Sequence, residues 1–155
     1  MKSRIARTWM GGLCAVVLTM GIAAPARADD PKCSLARSAG KWSLTDQGTV
    51  VGIGPRTAVG VFTLDKAGNV LNGIGTSSLN GAIANETFSG TYTVNPDCTG
   101  TLSVEIFASG IELFAVTTNA AFDDDMKHMR AIFTSVTPPN GLPLPTVINF
   151  DARKQ

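Results

Sequence analysis

The chain has 155 residues, 44% of them hydrophobic, with 13 Lys plus Arg against 12 Asp plus Glu. No basic cluster follows the N-terminal segment, so the chain lacks the footprint that displaces counterions from nucleic acid or grips an anionic membrane surface; both partners are excluded on charge. Its length suits one ordinary domain.

The first element is a leader. Lys2, Arg4 and Arg7 precede an apolar stretch over 11–24, and Ala26-Arg27-Ala28 supplies an A-x-A cleavage site, the pattern of a secretory signal peptide over 1–28. The apolar run is too short for a spanning helix and stops at Pro25. Cys14 lies inside that run behind Leu13, where a lipid-anchored cysteine would follow a small residue. The expected product is a secreted or periplasmic domain over 29–155 with no stable membrane insertion. Lys2, Arg4, Arg7 and Arg27 leave with the leader and no acid does, so 9 bases face 12 acids and the net charge is −3. Cys33 and Cys98 remain as an even pair in an oxidising compartment, without the neighbouring histidines of a zinc site, and are expected to form a disulfide.

One short helical turn is expected around 34–38, ahead of Gly40. The rest of the chain has a period of two. Phe88, Tyr92 and Val94 alternate with Thr87, Ser89, Thr91 and Thr93; Leu102, Val104 and Ile106 alternate with Thr101, Ser103 and Glu105. Residues 95–100 between them (Asn-Pro-Asp-Cys-Thr-Gly) carry turn chemistry and make the pair a hairpin tied at its tip by Cys98. Further turn-type runs stand at Asp46-Gln47-Gly48, 65–69, Asn80-Gly81, Ser109-Gly110 and 138–141. The expected strands are 41–49, 56–65, 69–78, 85–94, 100–108, 111–119, 127–136 and 145–153. Eight sequential strands joined by tight turns predict an all-β, up-and-down antiparallel barrel with minimal helix; a two-sheet sandwich is the competing arrangement.

The segments Ala58-Val59-Gly60-Val61-Phe62-Thr63-Leu64-Asp65, Ala67-Gly68-Asn69-Val70 and Ser78-Leu79-Asn80-Gly81 join a longer run, Gly90-Thr91-Tyr92-Thr93-Val94-Asn95-Pro96-Asp97-Cys98-Thr99-Gly100-Thr101. Together with Cys33, Gly40-Lys41-Trp42 and Arg153-Lys154-Gln155 they resemble a family of small secreted bacterial proteins of unknown function, over nearly the whole exported chain. The Asp-Cys-Thr-Gly run is the most specific part. The architecture is loosely similar to the calycin and allene oxide cyclase barrels, but no motif residue carries an active site across. Asp123-Asp124-Asp125 departs from the family's shorter hairpin.

Groups able to do chemistry are few. His128 is the sole histidine and no Gly-x-Ser-x-Gly elbow accompanies it, which disfavours a hydrolase. Glu105 and Glu112 flank the Ser109-Gly110 turn, but each falls on a polar face. The acids at 123–125 lack EF-hand spacing, and no metal or cofactor is implied. Asn85-Glu86-Thr87 matches a glycosylation sequon by coincidence. The aromatic residues are spread over nearly every strand; those that point inward either fill the barrel as a closed packed core, the favoured arrangement, or leave a pocket in which Trp42, Phe62, Phe88, Tyr92 and Phe133 are candidate ligand contacts. The glycines Gly60, Gly73, Gly75 and Gly90 either let the sheet curl or leave room beside a ligand. The reading is a non-catalytic binding or structural module for a small apolar molecule. The alternative is a cyclase- or isomerase-like barrel that moves a proton with an inward-facing Tyr92, Glu105 or His128.

Overall fold

A computed structural model describes residues 32–155. The expected leader over 1–28 lies outside the described residues. A four-residue helix, α1 (Leu35–Ser38), leads into eight strands: β1 (Gly40–Val50), β2 (Gly54–Leu64), β3 (Asn69–Leu79), β4 (Ala82–Val94), β5 (Thr99–Ala108), β6 (Ile111–Phe122), β7 (His128–Thr137) and β8 (Thr146–Lys154). Each strand pairs antiparallel with the next, and β8 returns to β1, closing the barrel. No helix among the described residues is long and apolar enough to cross a membrane.

The turn chemistry acts as expected at most connections. In the β4–β5 hairpin, Asp97 Oδ1 accepts from the Thr99 amide at 3.1 Å and from Thr99 Oγ1 at 2.7 Å. That loop holds Cys98 in a left-handed conformation at φ 66°, which a non-glycine residue adopts at some cost. The loop is tied down by the Cys33–Cys98 disulfide. Asp46-Gln47-Gly48 is a correction: it is no turn, and β1 runs straight through it to a turn over 51–53. Gly48 serves closeness instead, since a Cβ there would lie 2.0 Å from the Val147 carbonyl oxygen of β8.

The strand glycines have a similar cause. A Cβ at Gly60, Gly75 or Gly90 would come within 2.5, 2.7 or 2.0 Å of the facing carbonyl oxygens of Ile74, Val59 and Ser103. The strands coil tightly there, as a closed eight-stranded wall requires.

The barrel has two unlike ends. At the α1 end, Trp42, Phe62, Leu64, Val70, Phe122 and Met129 fill the interior. Trp42 stacks on Phe62 at 6.4 Å and meets Phe122 edge-on. The helix closes this end: Trp42 Nε1 donates to the Ser38 carbonyl at 2.9 Å, and the Tyr92 hydroxyl donates to the Asp65 carbonyl at 2.6 Å while lying 3.0 Å from Ser38 Oγ. At the far end a smaller group, Ile106, Val116 and Val136, packs with Leu144 from the connection over 138–145.

Pairing around the wall is complete except at one seam. β7 pairs with β8 only from His128↔Arg153 to Ile132↔Asn149, whereas β1 pairs with β8 from Trp42↔Lys154 up to Val50↔Thr146. Above Ile132 the two strands part, and the connection folds back so that the Leu144 amide donates to the Val136 carbonyl at 2.8 Å.

Candidate functional site

Three strands deliver charged side chains into the interior. Asp46 is in phase with Trp42 and Leu44 on β1, Arg56 with Ala58 and Phe62 on β2, and Glu86 with Phe88 and Tyr92 on β4. All three are buried. The Arg56 guanidinium holds Glu86 with both arms, Nη1 to Oε1 at 3.1 Å and Nη2 to Oε2 at 2.9 Å, and reaches Asp46 Oδ2 from Nε at 3.4 Å and Nη2 at 3.3 Å. Ser77 Oγ, inward from β3, donates to Glu86 Oε1 at 2.6 Å. With one cation and two carboxylates, a fully ionised group carries net −1 inside an apolar barrel.

The field is uneven. Burial raises the Asp46 carboxyl above its ordinary value, outweighing the attraction and hydrogen bonds of Arg56. Burial pulls Arg56 the other way, but the Glu86 hydrogen bonds and the charges of Asp46 and Glu86 together hold it above the usual guanidinium range. The Asp46 carboxyl thus takes a proton more readily than an exposed aspartate does.

Asp46 and Arg56 border a cavity of about 60 Å³ between the two packed ends, lined otherwise by apolar groups such as Leu102, Val104, Phe88 and Phe133. Its volume admits a few waters or a short apolar group, well short of the several hundred Å³ of a drug-sized site. Among the described residues, two buried side-chain atoms lack a hydrogen bond of ordinary geometry, Asp46 Oδ1, near which only the Ala58 backbone lies, and Thr118 Oγ1; both residues line this cavity. A buried oxygen without a partner forfeits about 1–3 kcal/mol, so the arrangement favours an occupant that can hydrogen-bond. A second, smaller void bounded by Arg56, Phe133 and Val136 lies towards the β7–β8 seam and shares Arg56, Ile106, Val116 and Phe133 with the first.

The residues singled out from the sequence fall in several places. Phe62, Phe88 and Phe133 line the cavity. Trp42 and Tyr92 point inward but are spent on the closed end, where burial raises the Tyr92 hydroxyl above its ordinary range. Glu105 is exposed on the outer wall. His128 also faces out, with Nε2 2.6 Å from Asp151 Oδ2 and Nδ1 3.1 Å from Asp123 Oδ2. Hydrogen bonds from His128 and Arg130 hold Asp123 below the usual carboxylate range. Two of the three proton-transfer candidates thus lie outside the barrel and the third is engaged in its closure, whereas Asp46, Arg56, Glu86 and Thr118 were not among the sequence candidates. Among the described residues no group of three or more His, Cys, Asp or Glu has a metal-holding arrangement.

No known family profile and no curated protein matches the chain. Among solved structures the barrel is similar to one described as "Structure of EF1p2_mFAP2b bound to DFHBI", at 13% identity over 79% of this chain and 100% of that one, with a TM-score of 0.49.

Proposed function

We propose that the barrel is a binding module for a compact, largely apolar molecule that carries one hydrogen-bonding group. The observation behind this reading is the pairing of an apolar cavity with two unpartnered buried oxygens, Asp46 Oδ1 and Thr118 Oγ1, at its wall. An apolar body displaces poorly held water from the cavity, and a hydroxyl or amide on the ligand satisfies the two oxygens. Phe88 and Phe133 are only partly buried and are the side chains able to yield to a larger body.

The test is native mass spectrometry of oxidised protein from its own host, with organic extraction, followed by amide-shift titration with a short alcohol and with xenon. Binding predicts shifts at Val104, Phe88 and Phe133 with both probes, and a preference for the alcohol that Thr118→Val lowers. No extracted molecule together with unmoved cavity amides for both probes would sink the reading.

A second reading is favoured by the raised carboxyl of Asp46: a cyclase- or isomerase-like reaction in which Asp46, beside Arg56, donates the proton. It requires that a ligand added in one form be recovered in an isomeric form, and that Asp46→Asn leave binding while abolishing the conversion.

A further inference from the structure

The charge inside the barrel does not balance. Among the described residues the buried charged side chains are Asp46, Arg56 and Glu86, two acids to one base. The base is not shared evenly. Arg56 holds Glu86 with both arms at 3.1 and 2.9 Å, and Ser77 Oγ adds a donor at 2.6 Å, so both Glu86 oxygens are served. Asp46 receives the longer contacts, 3.4 and 3.3 Å, and both fall on Oδ2. Its Oδ1 lacks a hydrogen bond of ordinary geometry, although the residue is only 5% exposed. The surplus negative charge therefore belongs to Asp46, at the wall of the cavity.

The surroundings do nothing to cancel it. Across the cavity β5 to β8 present Leu102, Val104, Val116, Thr118, Phe133 and Phe150, and Arg56 and Glu86 are the only other charged groups in the lining. An acceptor oxygen on an ionised acid calls for a donor, which sets aside anions and ligands that only accept. A hydroxyl would serve the oxygen and leave the surplus charge in an apolar setting. A protonated amine serves the oxygen and cancels the charge together, through the stronger, charge-assisted kind of hydrogen bond. Its other N–H groups suit Thr118 Oγ1, the second underserved oxygen of the same wall. Phe62, Phe88 and Phe150, packed together at 6.0 and 6.3 Å, also line the cavity and offer ring faces, which attract a cation as an aliphatic wall does not.

Resting on the binding role proposed above, we infer that the hydrogen-bonding group of the ligand is a primary ammonium, seated on Asp46 with a short alkyl body in the apolar part of the cavity. The volume of about 60 Å³ limits that body to a few carbons. A second charge on the ligand is excluded, because Arg56 is already committed to two carboxylates and no other charged group faces the cavity. The ligand class is thus a small monoamine and not an amino acid or a diamine. Burial favours the protonated form of Asp46, so a proton and the ammonium compete for one carboxylate.

The test is amide-shift titration of the oxidised protein with isobutylamine and with isobutanol, at fixed ionic strength from pH 4 to pH 8. The two probes share one alkyl body, and the amine stays protonated throughout, as a lysine side chain of ordinary value about 10.4 does. At pH 7 the amine is expected to bind at least about tenfold tighter, the gap between a charge-assisted and a neutral hydrogen bond. At pH 4 its affinity is expected to be at least about threefold lower than at pH 7, while that of the alcohol stays within about twofold. Asp46→Asn keeps the shape and removes the charge; it is expected to bring the amine down to the level of the alcohol and to abolish the acid dependence. Equal affinities in the parent overturn the ammonium assignment, as do an amine affinity flat with pH or an amine preference that survives Asp46→Asn. In each of those cases isobutanol shifts at Val104, Phe88 and Phe133 leave the binding role standing. Unmoved cavity amides with both probes overturn the two together.

Discussion

Replacing Arg56 by Met is the sharpest probe of the interior. The guanidinium, 5% exposed, makes four hydrogen-bond contacts, two to Glu86 at 3.1 and 2.9 Å and two to Asp46 at 3.4 and 3.3 Å. Its removal leaves two carboxylates in an apolar wall, with Ser77 still donating to Glu86 and no cation beside either. Breaking a buried ion group by deleting one partner costs about 3–5 kcal/mol, a large part of the about 5–15 kcal/mol that holds a domain together. Equilibrium urea unfolding of the oxidised protein at neutral pH, followed by the fluorescence of buried Trp42, measures the loss. The loss is expected to shrink in acid, as the Asp46 carboxyl, which burial raises, takes up a proton and no longer needs the guanidinium. The triple variant Asp46→Val, Arg56→Met, Glu86→Leu is expected to recover most of it, because well-packed apolar replacements of a buried ion group are commonly neutral or better. A loss under about 1 kcal/mol for Arg56→Met at neutral pH would refute the reasoning, since the carboxylates would then be solvated without their partner.

Asp46→Asn tests the direction of its shift. Burial raises the folded carboxyl above its ordinary value of 3.8, so its contribution to stability is full below that value and lost as pH rises through the folded one. Asn keeps the neutral form throughout, so the variant should gain on the parent from about pH 4 upward and then level off; parallel stability curves would contradict this. Reducing the Cys33–Cys98 bridge, which spans 65 residues, should cost about 4 kcal/mol in chemical unfolding with and without reductant. Gly90→Ala, whose Cβ would sit 2.0 Å from the Ser103 carbonyl oxygen, should cost about 1–3 kcal/mol by thermal unfolding, whereas Gly110→Ala meets nothing within 4 Å and carries only the strain of its φ of 79°.

The barrel was legible because alternation and turn chemistry agree along most of the chain: Phe88, Tyr92 and Val94 share a phase, and 95–98 ends the strand with an Asx turn and a cysteine. Phase alone also placed Asp46 with Trp42, Arg56 with Phe62 and Glu86 with Phe88. Those three do not stand out in the sequence, because a charged residue on a strand is ordinarily a solvated one, and nothing local says that positions 46, 56 and 86 meet. Elsewhere phase itself breaks. Asn72, at φ 53°, sits in a bulge of β3 that turns Ile74 outward and Gly73, Gly75 and Ser77 inward. A second irregularity opposite Thr117 and Thr118 puts Phe133 and Val136 on one face although they are three residues apart. A strand's alternation therefore predicted side chains on both sides of such a bulge only up to the bulge.

The order in which the strands neighbour one another has a kinetic meaning. Seven of the eight strand interfaces join consecutive strands and are formed by short-range hairpin closure, while the β1–β8 interface joins the two ends of the domain. That last contact carries the largest loop-closure entropy and is expected to form late, so the barrel passes through a sheet with two bare edges. β8 is then held to the preceding strand only by the short ladder between His128↔Arg153 and Ile132↔Asn149, on an eight-residue tether over 138–145. Its longer ladder is to β1, and a β1 on another molecule offers the same row of donors and acceptors. At high concentration the slow step of refolding is thus also the step at which two chains exchange a strand.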